Sequence, residues 1–263
     1  MNGCEESPRW RSFIALGDSF TEGLSDDLDV NGRHIGWADR TAQGIADAQL
    51  NSVAYANLAV RGRLIADVAQ EQVPQALALA PDLVSFAAGV NDTLRRSFNL
   101  NSVATDLEDS VKAFRQANID VMLFAFGNPS RRSGLMSVVT QRMASYRSAT
   151  LAIAQQYGCF VVDFWNVAAF DDDSQWDSDR LHLSPSGHQR AAAAALHTLG
   201  LADESWRTPG VQTPPRSLPS RIAGNASWLS GHLTPWVARR IKGTSSGDGI
   251  EPKLSNYRFI NPS

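Results

Sequence analysis

The chain has 263 residues, 43% of them hydrophobic and 19% charged, enough to bury one sizeable core, with one main domain (1–200) and an extension (201–263) expected. A formal net charge of -3 lacks the clustered basic excess of nucleic-acid binders, and no run approaches the ~20 apolar residues of a membrane span. Cys4 and Cys159 are too few and too distant for a disulfide framework, and the acidic start Met1-Asn2-Gly3-Cys4-Glu5-Glu6 lacks the basic and apolar regions of a secretory signal, so a cytoplasmic protein with reduced thiols is expected.

Five short apolar runs, 13–16, 53–59, 83–88, 119–126 and 160–164, are each followed by a longer segment of helical character. This rhythm predicts βαβ units, and nearly continuous apolar runs suit parallel strands covered on both faces. A three-layer α/β/α sandwich with a five-stranded parallel sheet is therefore expected. The helices fall at 37–49, 64–80, 102–117 and 135–157, with Gly158 as a C-terminal cap. Ser184-Pro185 supplies an N-cap and a first-position proline for a last helix reaching residue 199. Beyond Gly200, prolines at 209, 214, 215 and 219 mark a linker or surface-wrapping segment. Two short helices, 225–232 and 234–242, carry Trp228 and Trp236 and are expected to pack on the main domain. The Ser-, Gly- and Pro-rich end from Gly243 is expected to be poorly ordered.

The first apolar run stops at Gly17-Asp18-Ser19, which delivers a hydroxyl to the carboxyl edge of a parallel sheet, where ligands bind. Taken alone, Ser19 would equally serve as a helix cap. A serine nucleophile needs a base and an orienting acid. His182 lies in the polar loop Asp177-Ser178-Asp179-Arg180-Leu181-His182, at the same sheet edge, and Asp179 is close enough in sequence for a turn to bring its carboxylate to the imidazole. Asp163 and the run Asp171-Asp172-Asp173 compete for the acid's role, Asp163 reading as structural and the run as a solvated turn. His188 and His197 read as helix residues, and neither His34 nor His232 has a partner that spacing nominates. Acyl transfer also needs donors for the developing oxyanion. The candidates are the Ser19 amide, the amide of Gly62 after the second strand, and the Asn91 carboxamide after the third; singly, Gly62 and Asn91 read as turn residues.

Two other features invite different readings. Asp27-Leu28-Asp29-Val30-Asn31-Gly32 copies the opening of a calcium loop, but position twelve is Ala38 in place of a bidentate Glu, so a solvated rim is the better reading and no metal is expected. Arg131-Arg132 either meets an anionic substrate group or is a solvated helix start, and Arg239, Arg240 and Lys242 suit a helix C-terminus.

Four segments in order resemble the signature blocks of the GDSL or SGNH hydrolase superfamily: Gly17-Asp18-Ser19-Phe20, with Phe where the name has Leu; Gly62 in an Asn-x-Ala-x-x-Gly setting; Gly89-x-Asn91-Asp92; and Asp179-x-x-His182. The resemblance implies a flavodoxin-like sheet, a Ser19-His182-Asp179 triad, an oxyanion hole of the Ser19 and Gly62 amides with the Asn91 side chain, a small-molecule ester substrate and no cofactor. It leaves esterase, lipase, lysophospholipase, thioesterase and carbohydrate deacetylase activities open. A non-catalytic ligand-binding protein on the same fold is the rival from another class, but neither a Gly-x-x-x-x-Gly-Lys-Ser/Thr loop nor a Gly-x-Gly-x-x-Gly after the first strand supports it.

Overall fold

The computed structural model describes residues 9–131, 137–210 and 247–263. In chain order the elements are β1 (Ser12–Gly17), α1 (Ser19–Glu22), α2 (Gly36–Gln49), β2 (Val53–Asn57), α3 (Ile65–Asp67), a π-helical segment (Val68–Gln72) and α4 (Val73–Leu79). There follow β3 (Leu83–Ala87), α5 (Val90–Thr93), α6 (Leu100–Gln116), β4 (Asp120–Ala125), α7 (Ser137–Tyr157), β5 (Phe160–Asp163), α8 (Pro185–Thr198) and β6 (Leu254–Ile260). No helix among the described residues is long and apolar enough to cross a membrane.

The sheet order is β5-β4-β3-β1-β2-β6, with the first five strands parallel, as in a flavodoxin-like fold. Alternation along β1 shows why its apolar run is continuous. Phe13 and Ala15 enter one core with Trp37, Ile45 and the alanines of α8, while Ile14 and Leu16 enter a second core with Val68, Leu107 and Phe114. Each of the five parallel strands packs both faces, one against α2 and α8 and the other against the layer of α4, α6 and α7. The first two strands on either side of β1 leave in opposite directions, and the crevice between them at the carboxyl edge is where such folds bind ligands.

Two expectations need correction. The sheet has six strands, because the chain end forms β6, antiparallel to β2, instead of a poorly ordered tail. Leu254 and Ile260 pack against the α2/α8 core and Tyr257 against the other, so the strand has two anchored faces. The expected helix 64–80 is divided: the ladder widens to a π-turn at Val68–Gln72 between α3 and α4. The expected short helices 225–232 and 234–242 lie outside the described residues.

Candidate active site

β1 ends where only glycine fits. A Cβ on Gly17 would sit 2.3 Å from the Ala87 carbonyl oxygen, so the bare backbone lets β1 pass close to the end of β3. The Gln72 carboxamide, buried by the π-turn, holds that peptide from both sides: Gly17 N–H donates to Gln72 Oε1 at 2.8 Å and Gln72 Nε2 donates to Gly17 O at 2.9 Å. Asp18, not Ser19, is the cap of α1, its Oδ1 accepting the Phe20 amide at 3.1 Å. Ser19 is thereby the first helical residue, with an amide that has no intrahelical acceptor and a hydroxyl left for other work. Phe20 sends its ring into an aromatic cluster with Trp37, Phe124 and Phe126, at centroid distances of 5.3, 5.5 and 5.3 Å, which anchors the helix to the core.

The histidine arrives on a hairpin-like loop. Trp176 and Leu183 form an antiparallel bridge, Asp177 N–H donates to His182 O at 2.9 Å, and the Ser25 hydroxyl donates to Asp177 Oδ2 at 2.9 Å, tying this loop to the one after α1. Asp179 Oδ1 accepts the amides of Leu181 and His182 at 2.9 and 3.0 Å, and Asp179 Oδ2 lies 2.5 Å from His182 Nδ1. His182 Nε2 lies 2.9 Å from Ser19 Oγ. Burial pushes the Asp179 carboxyl up, but the His182 ring and the two loop amides outweigh it and bring its pKa down to about 2. An ionised Asp179 accepts a hydrogen bond from Nδ1–H and so holds the ring proton at Nδ1, which leaves Nε2 as an acceptor for the serine hydroxyl.

The expected oxyanion donors lie on adjoining loops. Asn91 Nδ2 donates to Asp18 Oδ2 at 2.9 Å and to Arg63 O at 3.1 Å, so its carboxamide links the nucleophile's neighbour to the loop just after Gly62. Gly62 has φ +78°, a conformation that suits glycine, between Arg61, bonded to Glu22, and Arg63, bonded to Asn91. Asp92 is buried beside Asn91 and its Oδ2 accepts the Ile65 amide at 3.1 Å, a second tie between these two loops. Burial drives the Asp92 carboxyl up to about 6, against the Ile65 bond that lowers it.

The competing groups are otherwise engaged. Asp163 pairs with Arg147, at 2.5 and 3.1 Å, and accepts the Trp165 amide; Asp171 pairs with Arg131, and Asp172 accepts the Ser174 amide. Asp29 turns both oxygens onto its own loop, accepting the Asn31 and Arg33 amides at 2.8 and 2.9 Å and the Arg33 guanidinium at 2.8 Å. His188 is buried, accepting the Trp37 amide at Nδ1 and meeting Leu24 O at Nε2, and burial pulls its pKa down to about 4. His34 Nδ1 lies 3.1 Å from Asp26 O and His197 Nδ1 lies 3.2 Å from Ala202 O, both outside the Ser19 cluster. Arg132, His232, Arg239, Arg240 and Lys242 lie outside the described residues. Glu22, Gln72 and Lys253 are not marked by their sequence neighbours, because their partners are remote in the chain; the one local signal is a carboxylate three residues after the serine.

The sheet order is that of a doubly wound α/β domain, with Asp179, His182 and Ser19 in hydrogen-bond contact at its carboxyl edge. Residues 15–190 match the GDSL-like lipase/acylhydrolase family, and the chain belongs to that family, as a hydrolase acting on ester bonds. Solved structures with the same fold include LAE5, a hydrolase from the metagenome of Lake Arreo, Spain (22% identity, 73% of this chain and 96% of that one, TM-score 0.60). A variant of Axe2, an acetyl xylan esterase from Geobacillus stearothermophilus, is similar at 20% identity (73% and 96% covered, TM-score 0.61). TesA is similar at 21% identity (72% and 99% covered, TM-score 0.60). No functionally curated protein matches the sequence.

Proposed function

We propose that the protein cleaves small carboxylic esters through an acyl-enzyme formed on Ser19, with His182 as general base and acid and Asp179 as the orienting acid. The observation that carries this reading is the chain of contacts from Asp179 Oδ2 through both ring nitrogens of His182 to Ser19 Oγ. His182 Nε2 removes the Ser19 proton as Oγ attacks the acyl carbon, and the imidazolium is stabilised by Asp179. The oxyanion forms toward the Ser19 and Gly62 amides, and one Asn91 amide hydrogen turns to it from Asp18 or Arg63. Collapse expels the alcohol, which takes the proton from His182; water, deprotonated by the same ring, then releases the acid.

The test is hydrolysis of aryl esters of graded acyl length and of matched thioesters. Wild type is expected to turn over short-chain aryl esters, and Ser19→Ala to lose activity by about three orders of magnitude or more. Inactive, folded wild-type protein across the panel would contradict the reading, and faster turnover of thioesters than of matched esters would move the substrate class.

A further inference from the structure

Glu22 is only 7% exposed and takes no part in the proton relay. It is the last residue of α1, the one-turn helix that begins with Ser19. Its Oε2 accepts the backbone N–H of Arg61 at 2.9 Å and the Arg61 Nε–H at 3.0 Å, while Oε1 accepts Nε–H at 2.9 Å and pairs with Nη2. Arg61 immediately precedes Gly62. The carboxylate of the nucleophile's helix therefore grips the peptide that leads into an expected oxyanion donor. On the other side of Gly62, Arg63 O is held by Asn91, which is held by Asp18. Both anchors of the Gly62 loop run back to the segment that carries Ser19.

The helix end is fixed in turn by the end of the chain. Lys253 Nζ lies 2.8 Å from Glu22 O, 2.7 Å from His34 O, 2.8 Å from Ile35 O and 2.6 Å from Asp39 Oδ2. Those carbonyls converge because Gly23 and Gly36 meet backbone to backbone: a Cβ on Gly23 would lie 2.5 Å from Gly36 Cα. A cleft of about 380 Å³, lined by Glu22, Arg33, His34, Arg61 and Lys253 among others, opens beside this clamp.

We propose that Glu22 is a positioning residue for ester hydrolysis, holding Arg61 so that the Gly62 amide is set against the oxyanion that forms on Ser19 attack. This rests on the reading of Ser19 and Gly62 given above. Donors of this kind stabilise the transition state because they are placed before charge develops, so a displaced loop weakens them where the charge is greatest. The ground-state carbonyl, being nearly neutral, loses far less. The signature is a fall in kcat at nearly constant KM.

The experiment compares wild type, Glu22→Gln, Arg61→Met and the double variant on one aryl ester, with active sites counted by fluorophosphonate titration so that unfolded protein does not enter kcat. Glu22→Gln is expected to lower kcat by about 10- to 100-fold with KM within about threefold, and to weaken a trifluoromethyl ketone inhibitor by the same factor as kcat/KM. Since both residues act through one contact, the double variant is expected to lose no more than the worse single variant, within about threefold. Arg61→Met keeps its backbone N–H and removes the less buried partner, so it carries the test should Glu22→Gln fail to fold. A folded variant set with kcat within about twofold of wild type, or with the loss confined to KM, would overturn the proposal. Wild type without Ser19-dependent hydrolysis would instead overturn the underlying reading together with it.

Discussion

His182 Nδ1 faces a carboxylate that also accepts two amides of its own loop, so both the tautomer and the ring orientation follow from Asp179. An asparagine there presents a carboxamide in which one end donates, which favours the wrong tautomer. Asp179→Asn is therefore expected to cut kcat by about 10³- to 10⁴-fold, whereas Asp163→Asn, on Arg147, shifts the melting temperature and leaves kcat unchanged. Retained activity in the first with loss in the second would reverse the assignment. Asp92 makes a distinct prediction. Its carboxyl titrates at about 6 in the fold against an ordinary 3.8, so the native state binds the proton more tightly than the unfolded chain. The stability that this proton contributes is full below pH ~4 and is lost as pH rises through about 6, by up to about 3 kcal/mol at 1.36 kcal/mol per unit. Asp92→Asn keeps an oxygen for the Ile65 amide and does not titrate. It is expected to be more stable than wild type at pH 8 and to converge with it near pH 4, as read by denaturant unfolding at both pH values. A constant difference across that range would contradict the account.

At the scale of elements, β6 reaches from the far end of the chain to the nucleophile's helix. Lys253 and Asp39 are 8% and 14% exposed as side chains; burial pulls the lysine below its ordinary value and pushes the aspartate above its own, while each opposes that shift in the other. Lys253→Met would leave a buried carboxylate and three carbonyls without their cation, an expected cost of about 3–5 kcal/mol in unfolding free energy. A loss below about 1 kcal/mol would reduce the contact to an ordinary surface pair. The five parallel strands were legible in the sequence because each packs both faces and so reads as an uninterrupted apolar run. β6 was not, because only Leu254, Tyr257 and Ile260 are anchored, and Ser255, Asn256, Arg258 and the exposed Phe259 stand between them after a Ser- and Gly-rich stretch. The π-turn was likewise hidden: Val68–Gln72 keeps helical composition, and the wider turn serves a bond from Gln72 to Gly17, 55 residues away. Ser19, Gly62 and Asn91 were each flagged by turn chemistry after an apolar run, and His182 by Asp179 three residues before it in a polar loop. Glu22 and Lys253 carried no such flag, since their partners are set by tertiary approach.

On the scale of the whole molecule, β2, β1 and β3 are neighbours, and Gly62, Ser19 and Asn91 follow them in that spatial order. The loop before α8 brings His182 over the same edge, so one end of the sheet collects groups from four separated stretches of chain. The site is consequently cross-braced by Glu22 to Arg61, Asn91 to Asp18, Asp92 to Ile65 and Ser25 to Asp177. We propose that the hydrolase unit expected over 1–200 also takes in β6, so that truncation after Gly200 removes Lys253 from α1. We propose Ser19 as the nucleophile and His182 as the base that activates it. The most direct measurement of this is intact-mass analysis after treatment with a fluorophosphonate. Wild type is expected to gain one adduct, mapped to Ser19, and Ser19→Ala and His182→Ala to gain none in the same time. Labelling of Ser19→Ala at the wild-type rate, or an adduct on another residue, would contradict it.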